Sequence, residues 1–106
     1  MAKYLLEVNY TLDGLKGVKS QGGSARRKAA EAAATSVGGR IDEFYFAFGS
    51  TDVFVIADFP DNVSAAALSM AVSAAGGATV RTVVLLTAAE IDQAVNRPVD
   101  YRPPGA

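Results

Sequence analysis

The chain contains no cysteine, no histidine and no tryptophan. Without cysteine there is no disulfide framework and no thiolate chemistry. Without histidine, the commonest metal ligand, the usual haem ligand and the usual general base are all missing. A haem site would have to rely on tyrosine, so no cofactor and no metal site are expected. Excess charge of one sign is lacking too. Lysine and arginine number 10, aspartate and glutamate 11, and the basic residues are scattered. A nucleic-acid surface needs a dense basic patch, so no nucleic-acid partner is expected. No apolar stretch approaches the roughly 20 residues of a membrane span, so no membrane partner is expected. The opening "MAKYLLEVNY" enters a strand-like pattern with neither an apolar h-region nor a cleavage site. The expected location is therefore cytoplasmic.

What is present is apolar material: half of the 106 residues. That suffices for one small core with little surplus. A single domain is expected over residues 1–95, followed by a proline-rich tail over 96–106. Lys3 to Asn9 reads as a strand, with Tyr4, Leu6 and Val8 on one face and Leu5, Glu7 and Asn9 on the other. Thr11 suits the N-cap of a short, glycine-weakened helix that Gly22 and Gly23 break. The Ala-rich "SARRKAAEAAATSVGG" predicts a helix, with Ser24 as its cap and Gly38 and Gly39 as its stop. "RIDEFYFAF" and "DVFVIADF" predict two strands joined by a short "GST" hairpin turn. "PDNVSAAALSMAVSAAGG" predicts a helix capped by Asp61 or Ser64 and ended by Gly76 and Gly77. "ATVRTVVLL" predicts the last strand. Thr87 with Glu90 makes a capping box for a short final helix.

The order β-α-β-β-α-β predicts an α+β, ferredoxin-like fold. Right-handed crossovers give an antiparallel sheet in the order 4-1-3-2, with both main helices on one face. The other face is left bare, yet the middle strands are apolar on both sides. Phe44, Phe46 and Phe48 oppose Tyr45 and Ala47, and Val53, Val55, Ala57 and Phe59 oppose Phe54, Ile56 and Asp58. A bare face holding Leu5, Phe54, Ile56, Val83 and Leu85 exceeds the apolar patch of an ordinary soluble monomer. A second copy of the chain is the expected cover, giving a homodimer or an oligomer of dimers. The alternative cover is the last helix and tail folded back over the face.

The run "GGRIDEFYFAFGSTDVFVIADFPD", then "SAAALSMAVSAAGG" and "VRTVVLLTAAE", resembles the GYD domain family of small bacterial proteins. The resemblance runs from about Tyr4 to Glu90. Gly49 and Asp52 match the Gly-x-Tyr-Asp motif, whereas Thr51 stands at the tyrosine that helps to name the family. The resemblance implies a fold like the dimeric α-β barrels, and it implies no activity.

Topology and parity select one polar cluster. Strand one ends at Glu7 and Asn9 beside the start of strand three, Asp52, and the start of strand four, Arg81. Tyr45 can look the same way. Glu7, Asn9, Tyr45, Asp52 and Arg81 are therefore expected at one end of the open face, at the mouth of a partly apolar pocket beneath the partner subunit. Asn9, Tyr45, Asp52 and Arg81 are the candidate ligand-binding residues; Asp52, Glu7 and Arg81 are the candidate catalytic ones. A desolvated carboxylate, Asp52 or Glu7, can act as a general base, and Arg81 can hold an anion. Against this, Glu7 and Arg81 make an ordinary cross-strand ion pair, and Asp52 an ordinary hairpin-closing Asx contact.

Other signals are weaker. "GGSARR" opens a helix and offers N–H groups with Arg26 or Arg27 to a phosphate, without the spacing of a nucleotide motif. Asp42, Glu43, Asp58 and Asp61 gather near one hairpin end. They read as edge charges that discourage strand pairing rather than as calcium or magnesium ligands. Three functions stay open: a small-molecule binding module, a cofactor-independent isomerase or monooxygenase, and a purely structural oligomer.

Overall fold

In a computed structural model describing Met1–Ala106, the elements are β1 (Ala2–Tyr10), α1 (Leu12–Gln21), α2 (Gly23–Ser36), β2 (Arg40–Phe46), β3 (Val53–Phe59), α3 (Asn62–Ala74), β4 (Ala78–Leu85) and α4 (Ala88–Val95). The strands form one antiparallel sheet ordered β2-β3-β1-β4. That is the expected 4-1-3-2 counted from the other edge, in a ferredoxin-like α+β arrangement.

Capping residues explain most of the boundaries. The Thr11 hydroxyl accepts the Gly14 N–H and starts α1. Asp61 accepts the Ser64 N–H at 2.8 Å and starts α3. Its carboxyl is thereby held below the ordinary carboxylate range. Thr87 and Glu90 exchange two bonds, 2.9 and 3.1 Å, as a reciprocal box at the start of α4. Ser24, however, does not cap α2. The helix begins at Gly23, and its N-cap is Gly22, at φ 87° and without a side-chain bond. The Gly22 N–H is already spent on Val18 O at 2.7 Å, closing α1. One glycine thus ends a helix and starts the next, leaving no extended residue for a serine cap.

The β2–β3 hairpin also departs from expectation. β2 stops at Phe46, and the connection occupies residues 47–52. Phe48 consequently leaves the Phe44–Phe46 side of the strand and is fully exposed. Between Ile41 and Glu43 the register shifts by one residue, so Asp42 is the bulged position.

The core lies on one side of the sheet. Tyr4, Leu6, Val53, Val55, Ala57 and Phe59 pack with Ala34 of α2 and Ala65 of α3. The rings of Tyr4 and Phe59 meet edge to face at 5.5 Å, and the Tyr4 hydroxyl donates to Asn62. Burial of each large apolar side chain contributes about 1.5–3 kcal/mol. At Gly14 the start of α1 approaches the α3–β4 turn so closely that a Cβ would collide with the Gly77 carbonyl. The Thr11 N–H donates to that same carbonyl at 3.0 Å.

The opposite face carries no helix. Phe54 and Val83 remain 37% and 40% exposed there, with Leu5, Ile56 and Leu85 half-buried around them. The last helix does not fold back over it: every residue from 86 to 106 is exposed, including Leu86, Ile91, Val95 and Tyr101. The chain measures 57 × 32 × 23 Å, with a radius of gyration of 16.9 Å. A compact chain of this length has a radius of about 13 Å. No helix is long and apolar enough to cross a membrane.

Candidate functional site

The register lays one row of side chains across the bare face. Tyr45 pairs with Phe54, Phe54 with Glu7, and Glu7 with Arg81. At the β4 end of this row three groups converge. Arg81 Nη2 donates to Thr51 Oγ1 at 2.9 Å and lies 3.6 Å from Glu7 Oε1. The Thr51 hydroxyl in turn donates to Glu7 Oε1 in a long 3.5 Å bond. Thr51 is only 4% exposed, whereas the Arg81 side chain is 58% exposed. The guanidinium therefore keeps donors available to solvent, while its inner edge is fixed by a buried hydroxyl and a carboxylate.

The other expected members divide. Asn9 Oδ1 accepts the Asp52 N–H at 3.0 Å, so Asn9 steadies the hairpin backbone. The Asp52 carboxylate forms no ion pair with Arg81 and instead accepts the Tyr10 N–H at 2.9 Å. The cause is local. Asp52 lies at a bend outside β3, so the period-two alternation of the strand does not reach it. Tyr45 lies at the far end of the row, on edge strand β2, with Phe54 between it and Glu7. The neighbouring Glu43 carboxylate raises the pKa of its hydroxyl. The structure thus brings Glu7 and Arg81 together, places Asn9 and Asp52 in hairpin closure, and sets Tyr45 apart.

Thr51 is the member that parity did not select. It precedes the same bend, and this lets its hydroxyl reach the open face although Val53 points into the core. The available signal was the "GSTD" stretch itself, where threonine occupies the motif's tyrosine position.

A second charged cluster closes the other end of the face. Asp58, 5% exposed, receives Lys3 at 3.2 Å and Arg40 at 3.2 Å. Asp42, on the bulge, contacts the same two cations. The Lys3 ammonium beside Asp42 holds its carboxyl below the ordinary carboxylate range, and Asp58 pulls the same way. Two cations thus occupy the lone pairs that a metal ion would need. The bare face is an apolar band between two charged clusters, one at each end.

No curated protein and no solved structure matches this chain. The chain carries the motif's glycine and aspartate at Gly49 and Asp52, and its fold agrees with what the motif's resemblance implies. The model of the GYD domain matches residues 4–95, nearly the whole ferredoxin-like unit, and the chain belongs to the GYD domain family.

Proposed function

We propose that the protein is a homo-oligomeric, small-molecule binding module whose assembly unit is a dimer of sheet faces. The observation that carries this reading is the bare face. Leu5, Phe54, Ile56, Val83 and Leu85 form a continuous apolar band that no element of the chain covers. Burying such a band stabilises association at roughly 25 cal/mol per Å² of apolar surface removed from water. A second copy of the same face is self-complementary about a two-fold axis. Between the two faces, a space edged by Glu7, Thr51 and Arg81 receives a small molecule, with Arg81 as the group that holds an anionic end. The exposed arm, Leu86 to Ala106, reaches onto the partner. A helix of 8 residues is too short to persist on its own, and every residue of α4 is exposed.

The enzymatic alternative needs Glu7 or Asp52 free to act as a base. Asp52 is bonded to the Tyr10 N–H, and Glu7 lies against Arg81 and Thr51, so no observation favours that reading. Mass measurement tests the assembly. Light scattering and native mass spectrometry should give a dimer or a multiple of it, and Ile56→Glu should give a monomer with unchanged far-UV circular dichroism. A monomeric wild-type chain refutes the proposal. An oligomer that retains no small molecule and binds none of a library of small organic anions leaves a structural assembly in its place.

A further inference from the structure

On the helical side of the sheet the core is incomplete. α2 turns Arg26, Ala30 and Ala33 toward the sheet at the spacing i, i+4, i+7, and α3 turns Leu68 and Val72 toward the same space. Alanine side chains are too short to meet across it. An apolar cavity of about 120 Å³ remains between the two helices and the sheet. It shares Tyr10, Arg26, Ala33, Leu68 and Val72 with a wider groove that runs toward α1, and this gives it an entrance. Apolar cavities of about 150 Å³ stay dry and admit a body the size of benzene.

The polar groups lining this cavity are few. The Ser69 hydroxyl is already paired with Thr82 at 2.7 Å. Arg26 is half-buried and takes part in none of the ion pairs of the structure. It lines both the cavity and the groove, so its guanidinium stands at the entrance with no carboxylate paired to it. Beside it stands Tyr10, at the end of β1. Burial raises the pKa of its hydroxyl and nearby Asp52 adds to this, against the opposing Arg26 guanidinium. The phenol therefore stays protonated at neutral pH and can donate.

We propose that the space between α2, α3 and the sheet binds a small carboxylic acid with an apolar body of about benzene size, its carboxylate held by Arg26 and the Tyr10 hydroxyl. The guanidinium fork matches a planar carboxylate in two parallel bonds, and the phenol supplies a third donor. A monoanion fits better than a phosphate ester. One arginine balances one charge, and the Asp52 carboxylate close to Tyr10 repels a second. The site lies within one chain, so it stands or falls independently of the sheet-face dimer.

The test uses benzoate and its uncharged counterpart benzyl alcohol, titrated into the full chain and followed by amide NMR shifts. Benzoate is expected to saturate, to move the amides of Ala30, Ala33 and Val72, and to bind about tenfold or more tightly than benzyl alcohol, as a charge-assisted bond implies. Arg26→Gln should remove that preference while benzyl alcohol still binds. Ala33→Leu should fill the cavity and abolish binding of both. The proposal is overturned if benzoate fails to saturate, if the two probes bind alike, or if shifts appear at Arg81 instead. An unchanged benzoate affinity in Arg26→Gln also overturns it. Should Ala33→Leu not fold, the Arg26→Gln comparison decides alone. Oligomer mass, measured on the same samples, reports separately on the sheet-face dimer.

Discussion

The Asp52 carboxylate accepts the Tyr10 N–H at 2.9 Å, tying the β2–β3 connection to the end of β1. The Asp52 N–H returns the contact, donating to Val8 O and to Asn9 Oδ1, both at 3.0 Å. The motif aspartate is thus a staple between two strands. Asp52→Ala is expected to destabilise the fold by about 1–2 kcal/mol, because a partly buried backbone N–H loses its partner. Asp52→Asn keeps an acceptor oxygen and should cost less than half as much. Urea unfolding of the two variants measures the difference. Equal losses would show that charge, not the staple, is what counts.

The staple lies where the sequence pattern ceases to fix side-chain direction. The element order, the glycine stops and the Thr87–Glu90 box follow from periodicity and capping chemistry, which act within a few residues. The pairing of Glu7 with Arg81 follows from topology, because both lie inside regular strands. Asp52 and Thr51 lie at a bend outside β3, where alternation no longer says which way a side chain points. Ser24 failed as a cap because Gly22 serves two helices at once. The stripe from Arg26 to Ala33 is legible as a helix face. The void beneath it is not, because it depends on how far α2 stands from α3.

Thr51 offers a direct test of its buried position. Its hydroxyl fills the space between Arg81 and Glu7 at 4% exposure. Thr51→Tyr, which restores the motif residue, should overpack the site and cost about 1–3 kcal/mol. Thr51→Val keeps the volume and removes only the hydroxyl, for a loss of about 1 kcal/mol. Thermal unfolding orders the pair. A Thr51→Tyr protein as stable as the parent would mean that the ring escapes to the open face.

Acid should loosen the Lys3–Asp42–Asp58 end of the face. Asp42 has its pKa lowered in the fold from an ordinary 3.8, chiefly by the Lys3 bond. A group whose folded pKa is depressed contributes stability above its unfolded value and loses it as pH falls through the folded one. Stability from this cluster is therefore full above about pH 4–5 and declines below it. Asp42→Asn should flatten the pH dependence of urea unfolding in that acidic window and leave it unchanged between pH 6 and 8. A variant whose acid profile superimposes on the parent's would remove Asp42 from the explanation.

Gly14 tests the junction between α1 and the α3–β4 turn. A Cβ there meets the Gly77 carbonyl, a backbone atom that cannot rotate aside. Gly14→Ala is expected to cost about 1–3 kcal/mol although alanine favours helices. The sign decides the matter. A stabilised Gly14→Ala protein would mean that helix propensity outweighs the contact and that α1 can shift away from the turn.

The arm provides the sharpest test of assembly. Its residues are exposed throughout, yet α4 is capped at its start and carries Ile91 and Val95 one turn apart, with Leu86 just before it. Apart from the Thr87–Glu90 box, every residue of so short a helix faces solvent, and in the proposed dimer this arm lies on the partner. Removing residues 87–106 should leave the circular dichroism of the βαββαβ unit intact and raise the dimer dissociation constant about tenfold or more, the equivalent of one buried apolar side chain. Ile91→Asp should reproduce most of that loss without shortening the chain. Sedimentation equilibrium over a dilution series reads both variants. If truncated and full-length chains dissociate at the same concentration, the arm is solvated in the assembly and the sheet faces alone hold the subunits together.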